Sequence, residues 1–312
     1  RFAAGEPAEM KLDVAGKLPG EEFYSRFDPR RYLGDAISDL KRPQFFAIVS
    51  SATLAMTLAR KSAGKVDGFV VEGSTAGGHN APPRGPLTLD ANGEPVYGLR
   101  DSPDLEQIRA LGLPFWLGGS YGDSFRLEKA EALGAQGIQV GTAFAFCEES
   151  GLAPALKESV LAASRDGRVK VFTDPYASPT GFPFKVLQMP GTASESEVFA
   201  ARERICDLGY LRQCYRQPDG DVGYRCPGEP LDDFLRKGGT ETETHGRKCI
   251  CNGLLSAIDH GQVRRSGELE PSLVTAGDDA AQVHRFLRPG QTSYSADDVL
   301  DCLLGIASPA MA

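Results

Sequence analysis

The sequence predicts an α/β protein organised on a parallel sheet, and three observations carry that expectation. Between residues 45 and 172, short apolar runs alternate with segments of helical pattern, joined by short connections. The apolar runs are nearly continuous rather than alternating, which predicts a sheet covered on both faces. Three successive runs end in glycine-containing turns, at the strand ends where parallel α/β folds place their active sites. On this pattern alone an open doubly wound sheet and a (β/α)8 barrel are both compatible.

In chain order, residues 10–14 (MKLDV) read as a short strand, and the charged stretch 20–42 as a long loop with one turn of helix. Residues 45–49 (FFAIV) have the β-branched and aromatic content of a buried strand. Ser50-Ser51 then supplies an N-cap for a helix over 52–62, rich in alanine and leucine. The next strand is 69–71, followed by a turn-rich loop over 81–100. Ser102 is the expected cap of a helix with Pro103 at its first position, ending at Gly112. Strand 114–117, helix 124–133, strand 137–140 and a helix over 152–165 follow. After 169–172 the texture changes to a proline-rich loop over 174–184, and from about 191 the chain is polar and turn-rich. The α/β part is therefore expected at 1–190, with a cysteine-containing C-terminal extension at 191–312.

Composition narrows the class. The chain has 312 residues, 41% hydrophobic and 24% charged, which is ordinary for a globular protein with a substantial core. A net charge of −8 argues against a nucleic-acid or membrane surface, since those want clustered Lys and Arg. No apolar run approaches the roughly 20 residues of a membrane span. Seven cysteines without a secretory segment read as reduced thiols of a cytoplasmic protein. The Cys249-x-Cys251 spacing is not that of a zinc ribbon, so no metal is expected.

The chemistry-bearing stretch is VDGFVVEGSTAGGHNAPPRG at 66–85. Its glycines let backbone pass close to a ligand, and His79 is left at the rim, where a neutral imidazole can act as a base. Gly118-Gly119-Ser120 and Gly141-Thr142 end the next two strands, one βα unit apart. Side by side they could hold a phosphate on backbone N–H groups, or simply make turns. Neither GxGxxG nor GxxxxGKS is present.

GSTAGGH at 73–79, LGGS at 117–120 and GAQGIQVGTAF at 134–144 together resemble the nitronate monooxygenase (2-nitropropane dioxygenase) family, which is related to FMN-dependent enoyl-ACP reductases. The resemblance is strongest over about 45–190. It implies the C-terminal part of a (β/α)8 TIM barrel that begins near the fourth strand, so an N-terminal truncation is expected. It also implies FMN as cofactor, His79 as the base beside the flavin, and Gly77 and Gly78 lying against it. Gly118, Gly119, Ser120, Gly141 and Thr142 would hold the FMN phosphate. Asn80 stands where the family often has glycine, and Ser120 where a branched apolar residue is usual.

The implied activity is oxidation of nitronates or nitroalkanes with molecular oxygen. A small-molecule substrate and oxygen are then the partners. Two other readings fit the same residues. One is an FMN-dependent NAD(P)H oxidoreductase acting on quinones or enoyl thioesters. The other is a non-catalytic FMN- or phosphate-binding protein.

Overall fold

The computed structural model describes residues 1, 4–34, 36, 41–62 and 64–306. The described chain falls into two compact units, Arg1–Phe45 with Ile205–His245, and Phe46–Arg204 with the residues from Gly246 onward. The region expected as one extension from 191 is thus divided between both units.

The first unit opens with β1 (Ala8–Leu12), β2 (Val14–Ala15) and β3 (Phe23–Phe27). β1 pairs antiparallel with β3, Met10 opposite Ser25. β3 lies inside the stretch expected as loop. Its FYSRF sequence has strand propensity, and Gly20, at φ +88°, turns the chain back toward β1. The expected helical turn is Pro29–Leu33, with Pro at its first position and the Asp28 carboxylate accepting from the Arg30 N–H. Most of the remaining loop, residues 35 and 37–40, lies outside the described residues.

The second unit carries the predicted parallel sheet. β4 (Phe46–Val49), β5 (Gly68–Glu72), β6 (Phe115–Gly118) and β7 (Gly137–Gln139) are adjacent in sequence order, all parallel. Val49, Val71 and Leu117 align across the first three strands. The connecting helices have local causes. Ser51 caps Ala52–Lys61, its Oγ accepting from the Leu54 N–H at 3.2 Å. Asp123 caps Ser124–Ala132 in the same way. The helix expected to start at Pro103 instead runs Leu105–Arg109. Asp104, not Ser102, is its cap, because the longer-reaching carboxylate accepts from Gln107 N–H at 3.0 Å.

These helices cover one face of the sheet. Ala47, Val49, Phe69, Val71, Phe115 and Leu117 form its core with Ala55, Ile108 and Ala130. The opposite face departs from the expectation of complete cover: Ile48 is 58% exposed, and Val70 and Trp116 are half-buried. Apolar residues on both faces give a continuous hydrophobic run whether or not the second face is packed, so pattern alone does not distinguish the two. Gly68 is required where β5 passes its neighbours, since a Cβ there would lie 2.6 Å from the Phe46 ring and 2.7 Å from Pro114 O.

The next strand in the alternation leaves the parallel sheet. β8 (Val171–Asp174) pairs antiparallel with β9 (Phe184–Leu187), and the proline-rich segment between them is the hairpin loop. A second core gathers Phe146, Leu161, Leu187, Phe286, Tyr294 and Val299 between the helices Pro154–Arg165 and Ala296–Leu304 and the 3₁₀ segment Asp278–Phe286. The chain also returns to the first unit as β10 (Gln213–Arg216) and β11 (Val222–Arg225). β10 pairs antiparallel with β11 and parallel with β2. Among the described residues, no helix is long and apolar enough to cross a membrane.

Phe69 has no exposed surface, so Phe69→Ala should lower unfolding free energy by about 3–5 kcal/mol in urea titration. Phe125, 72% exposed, is the control, and Phe125→Ala should stay within about 0.5 kcal/mol of the parent. Equal midpoints for the two variants would remove Phe69 from the core.

Candidate active site

The turn after β5 is held down by the far end of the chain. Gly78 N–H donates to Thr275 Oγ1 at 2.9 Å, and Thr275 Oγ1 in turn donates to Lys185 O. Asp278 N–H donates to Thr75 O at 3.1 Å, and Gly277 N–H to Thr142 Oγ1 at 2.9 Å. The segments at 75–78 and 275–278 therefore run in contact. A Cβ at Gly77 would come within 2.7 Å of Gly277 N, and one at Gly277 within 2.7 Å of Thr75 O. Both positions need glycine for closeness of approach.

A cavity of about 310 Å³ lies beside this contact. Gly77, Gly78, Gly119, Ser120, Gly141 and Thr142 all line it, so the structure brings six of the eight sequence-predicted site residues together. Gly118 is not on its wall. It sits within β6, where a Cβ would meet Gln139 Oε1 and Glu72 Cγ. Ser120 adopts φ +57°, the left-handed region that a non-glycine residue enters at a cost, and its Oγ is buried with no hydrogen-bond partner among the described residues. Arg126 donates to its carbonyl oxygen. Two wall residues, Glu72 and Asp279, are acidic, and Arg285 pairs with Asp279 at 2.6 Å.

His79 occupies a neighbouring cavity of about 300 Å³, with Ile48, Ser74, Asn80, Arg84, Tyr97 and Phe182 among its walls. Its Nε2 is 2.6 Å from Ser178 Oγ, which is fully buried and also bonds Thr180 Oγ1 at 2.8 Å. The ring packs edge-on to Phe184, centroids 4.8 Å apart, where the chain at His79 bridges to the start of β9. Burial pushes the imidazole below its ordinary value, so it is neutral at pH 7. Glu72, at the C-terminal end of β5, lines both cavities, and burial raises its carboxyl above the usual range. Tyr97, hydrogen-bonded to Ala81 O, is pushed up to about 12 by the same cause.

Sequence reasoning did not single out Glu72, Ser178, Thr275, Ala276 or Gly277, and the pair Asp278-Asp279, which reads in sequence as a solvated face or helix-start charges, has Asp279 buried. One signal was available for three of them: Thr275-Ala276-Gly277 repeats Thr75-Ala76-Gly77, and the two triplets are the segments in contact. His245, His260 and His284 are exposed, and His284 bonds Ser164 Oγ at 2.9 Å. Among the described residues no group of three or more His, Cys, Asp or Glu could hold a metal ion.

Comparison with known proteins agrees with the motifs. A family model described as nitronate monooxygenase matches residues 8–176. A protein named "Probable nitronate monooxygenase" from Bacillus subtilis (strain 168) is 35% identical over 130 residues, 42% of this chain and 35% of that protein. Its namesake in Staphylococcus haemolyticus (strain JCSC1435) is 34% identical over 129 residues, 41% and 34% of the two chains. The match thus spans about a third of the length of these relatives. Among solved structures, FabK from Thermotoga maritima has a TM-score of 0.44 at 18% identity, covering 84% of this chain and 60% of that one. Nitroalkane oxidase from Streptomyces ansochromogenes has 0.43 at 18%, covering 85% and 58%. With the family model matched over more than half of its residues, the chain belongs to the nitronate monooxygenase family.

Proposed function

We propose that the chain supports FMN-dependent oxidation of nitronates and nitroalkanes by molecular oxygen, on part of a (β/α)8-type barrel. The observation that carries this reading is a neutral His79, open to solvent yet tied to Ser178 and set at the rim of one cavity beside a second, glycine-lined one.

The residues of the second cavity fit a phosphate-bearing cofactor. Ser120 Oγ is a buried donor lacking a partner, and a Cβ at Gly141 would meet nothing within 4 Å, so that backbone faces open space. Gly77, Gly78, Gly119, Ser120, Gly141 and Thr142 would hold FMN, with Thr275 to Gly277 closing the wall. Bound there, the flavin would supply the electron-transfer and oxygen chemistry.

The chain's own part is proton handling and positioning. With Nε2–H donating to Ser178 Oγ, Nδ1 carries the lone pair and can take the α-proton of a nitroalkane. Ser178, fixed by Thr180, sets the ring's orientation. Asn80, whose Nδ2 donates to Ala76 O at 3.1 Å, holds the turn that carries His79.

Two glycine variants test the cofactor assignment. Gly141 has φ −114° and free space at its Cβ, so Gly141→Val should leave the melting temperature of the cofactor-free protein unchanged. Its FMN affinity should fall at least about tenfold, or about 1.4 kcal/mol. Gly119, at φ +95° and with Thr75 Oγ1 2.9 Å from its Cβ position, should lose stability as well on change to Val. Undiminished FMN content in Gly141→Val would sink the phosphate assignment.

His79→Asn should lose activity on the neutral nitroalkane by about 10² to 10⁴, the usual worth of a positioned base. The preformed nitronate, already deprotonated, should suffer less, and the flavin should stay bound. Equal losses on both ionisation states would make His79 an orienting residue.

The pH response has a definite sign. His79 is depressed in the fold, so the unfolded chain binds its proton first as pH falls. The stability linked to neutral His79 is present above about 6.5 and is lost as pH drops through the lower, folded value. NMR titration of the ring Cε1–H, assigned with His79→Asn, should give a midpoint below 6.5; a midpoint at or above it would contradict the burial argument.

A further inference from the structure

We propose that Cys206 and Cys226, in the unit built from the N-terminal residues and Ile205–His245, form a peroxide-reactive dithiol, with Cys206 attacking and Cys226 resolving. Neither residue belongs to the site described above, and the reading does not depend on it.

The geometry is local. β10 and β11 pair with Gln213 opposite Arg225, so Arg212 and Cys226 are the next residues beyond the last ladder pair. The turn from Cys206 to Arg212 folds back on itself. Arg212 Nη2 donates to Cys206 O at 2.8 Å, and Gly209, at φ +68°, leaves the space that the Arg212 guanidinium fills. This puts the guanidinium beside the Cys206 sulfur, with the Cys226 thiol close to the same sulfur. Cys226 is buried, whereas Cys206 is partly open. That asymmetry suits one thiol to meet the oxidant and the other to wait behind it.

The charges agree. The Cys226 contact first, and then Arg212, hold the Cys206 thiol down at about 6, against an opposing influence from burial and the Glu229 carboxylate. Glu229 accepts from the Cys226 N–H at 3.3 Å and is itself paired with Lys237 at 2.7 Å, which blunts its effect. At pH 7 a thiol titrating near 6 is about nine-tenths thiolate, whereas one at 9 is about one-hundredth.

The oxidant is a hydroperoxide, and hydrogen peroxide is the simplest. The Cys206 thiolate attacks one peroxide oxygen, forming S–O as O–O breaks; the released hydroxide takes a proton and leaves as water. Cys226 then gives up its proton and displaces the second hydroxide from Cys206, forming S–S as S–O breaks, and another water leaves. Two thiols and one peroxide thus become one disulfide and two waters. The sulfurs are oxidised and the peroxide oxygens reduced.

The test uses the full chain, reduced, freed of reductant and given one equivalent of hydrogen peroxide at pH 7, with peptide mapping by mass spectrometry. A single Cys206–Cys226 link is expected, lost in Cys206→Ser. Cys226→Ser should stop at a sulfenic acid on Cys206 that dimedone traps. Alkylation of Cys206 by iodoacetamide should follow a midpoint near 6, and Arg212→Leu, with circular dichroism unchanged, should slow it about tenfold at pH 7. Oxidation spread over the seven cysteines without that link would overturn the proposal. So would a Cys206 midpoint of about 8.5, the value of a free thiol. Stoichiometric zinc released by peroxide would equally replace it with a metal-thiolate site.

Discussion

The candidate site depends on two stretches of backbone that touch without side chains between them. Gly77 lies so close to Gly277 that neither could carry a Cβ, and the contact is closed at both ends by hydrogen bonds, Gly78 to Thr275 and Asp278 to Thr75. Thr142, from the turn after β7, adds a second strand end by accepting from Gly277 N–H. Two strand ends of the parallel sheet are thereby held against a segment that belongs to no sheet. A backbone-walled cavity offers N–H groups at fixed positions, which a wall of flexible side chains cannot. The fully buried residues behind it, Ala143 and Phe146 on one side and Ala280 and Phe286 on the other, keep those walls from relaxing.

Charge is handled sparingly at this site. Asp279 on the wall is answered by Arg285, and buried Lys185 by Asp278 at 2.6 Å. Burial favours the neutral forms of His79 and Glu72, while Arg84 and Asp101 add charged groups to the wall of the His79 cavity. In the glycine-lined cavity an anionic ligand meets backbone dipoles, and the Asp279 carboxylate there is compensated by Arg285. Glu72 reaches both cavities from the last position of β5, and the tight packing of its Cγ against Gly118 explains why that residue is glycine although it touches neither cavity.

Local features were legible in the sequence. The four parallel strands, the caps at Ser51 and the glycine-ended turns follow from patterns within ten residues or so, and six predicted site residues share one cavity because successive parallel strands bring their ends together. What depends on distant partners was not. β3 was hidden because its flanks are charged and its partner is β1; β8 was read as continuing the alternation but pairs with β9. Thr275 to Gly277 forms a wall through contacts about two hundred residues away, and no periodicity announces such a contact. The expected boundary near 190 likewise rested on a change of texture. Contacts divide the chain elsewhere, because 205–245 finds its strand partner at β2.

That last pairing carries a consequence for how the protein comes into being. Val14 lies opposite Cys214, so the ladder partner that β2 has among the described residues leaves the ribosome only some two hundred residues later. At about 5–20 residues per second this is a wait of roughly 10–40 s, during which the two-stranded β1–β3 pair, marginal as such an element is in isolation, precedes the strands β10 and β11 of its own unit. The intervening sheet of β4 to β7 is made of neighbours in sequence and has no such delay. The three-stranded unit is thus the late, high-contact-order step of biogenesis, and the interval before it closes is when its unpaired strand edges are exposed to other chains.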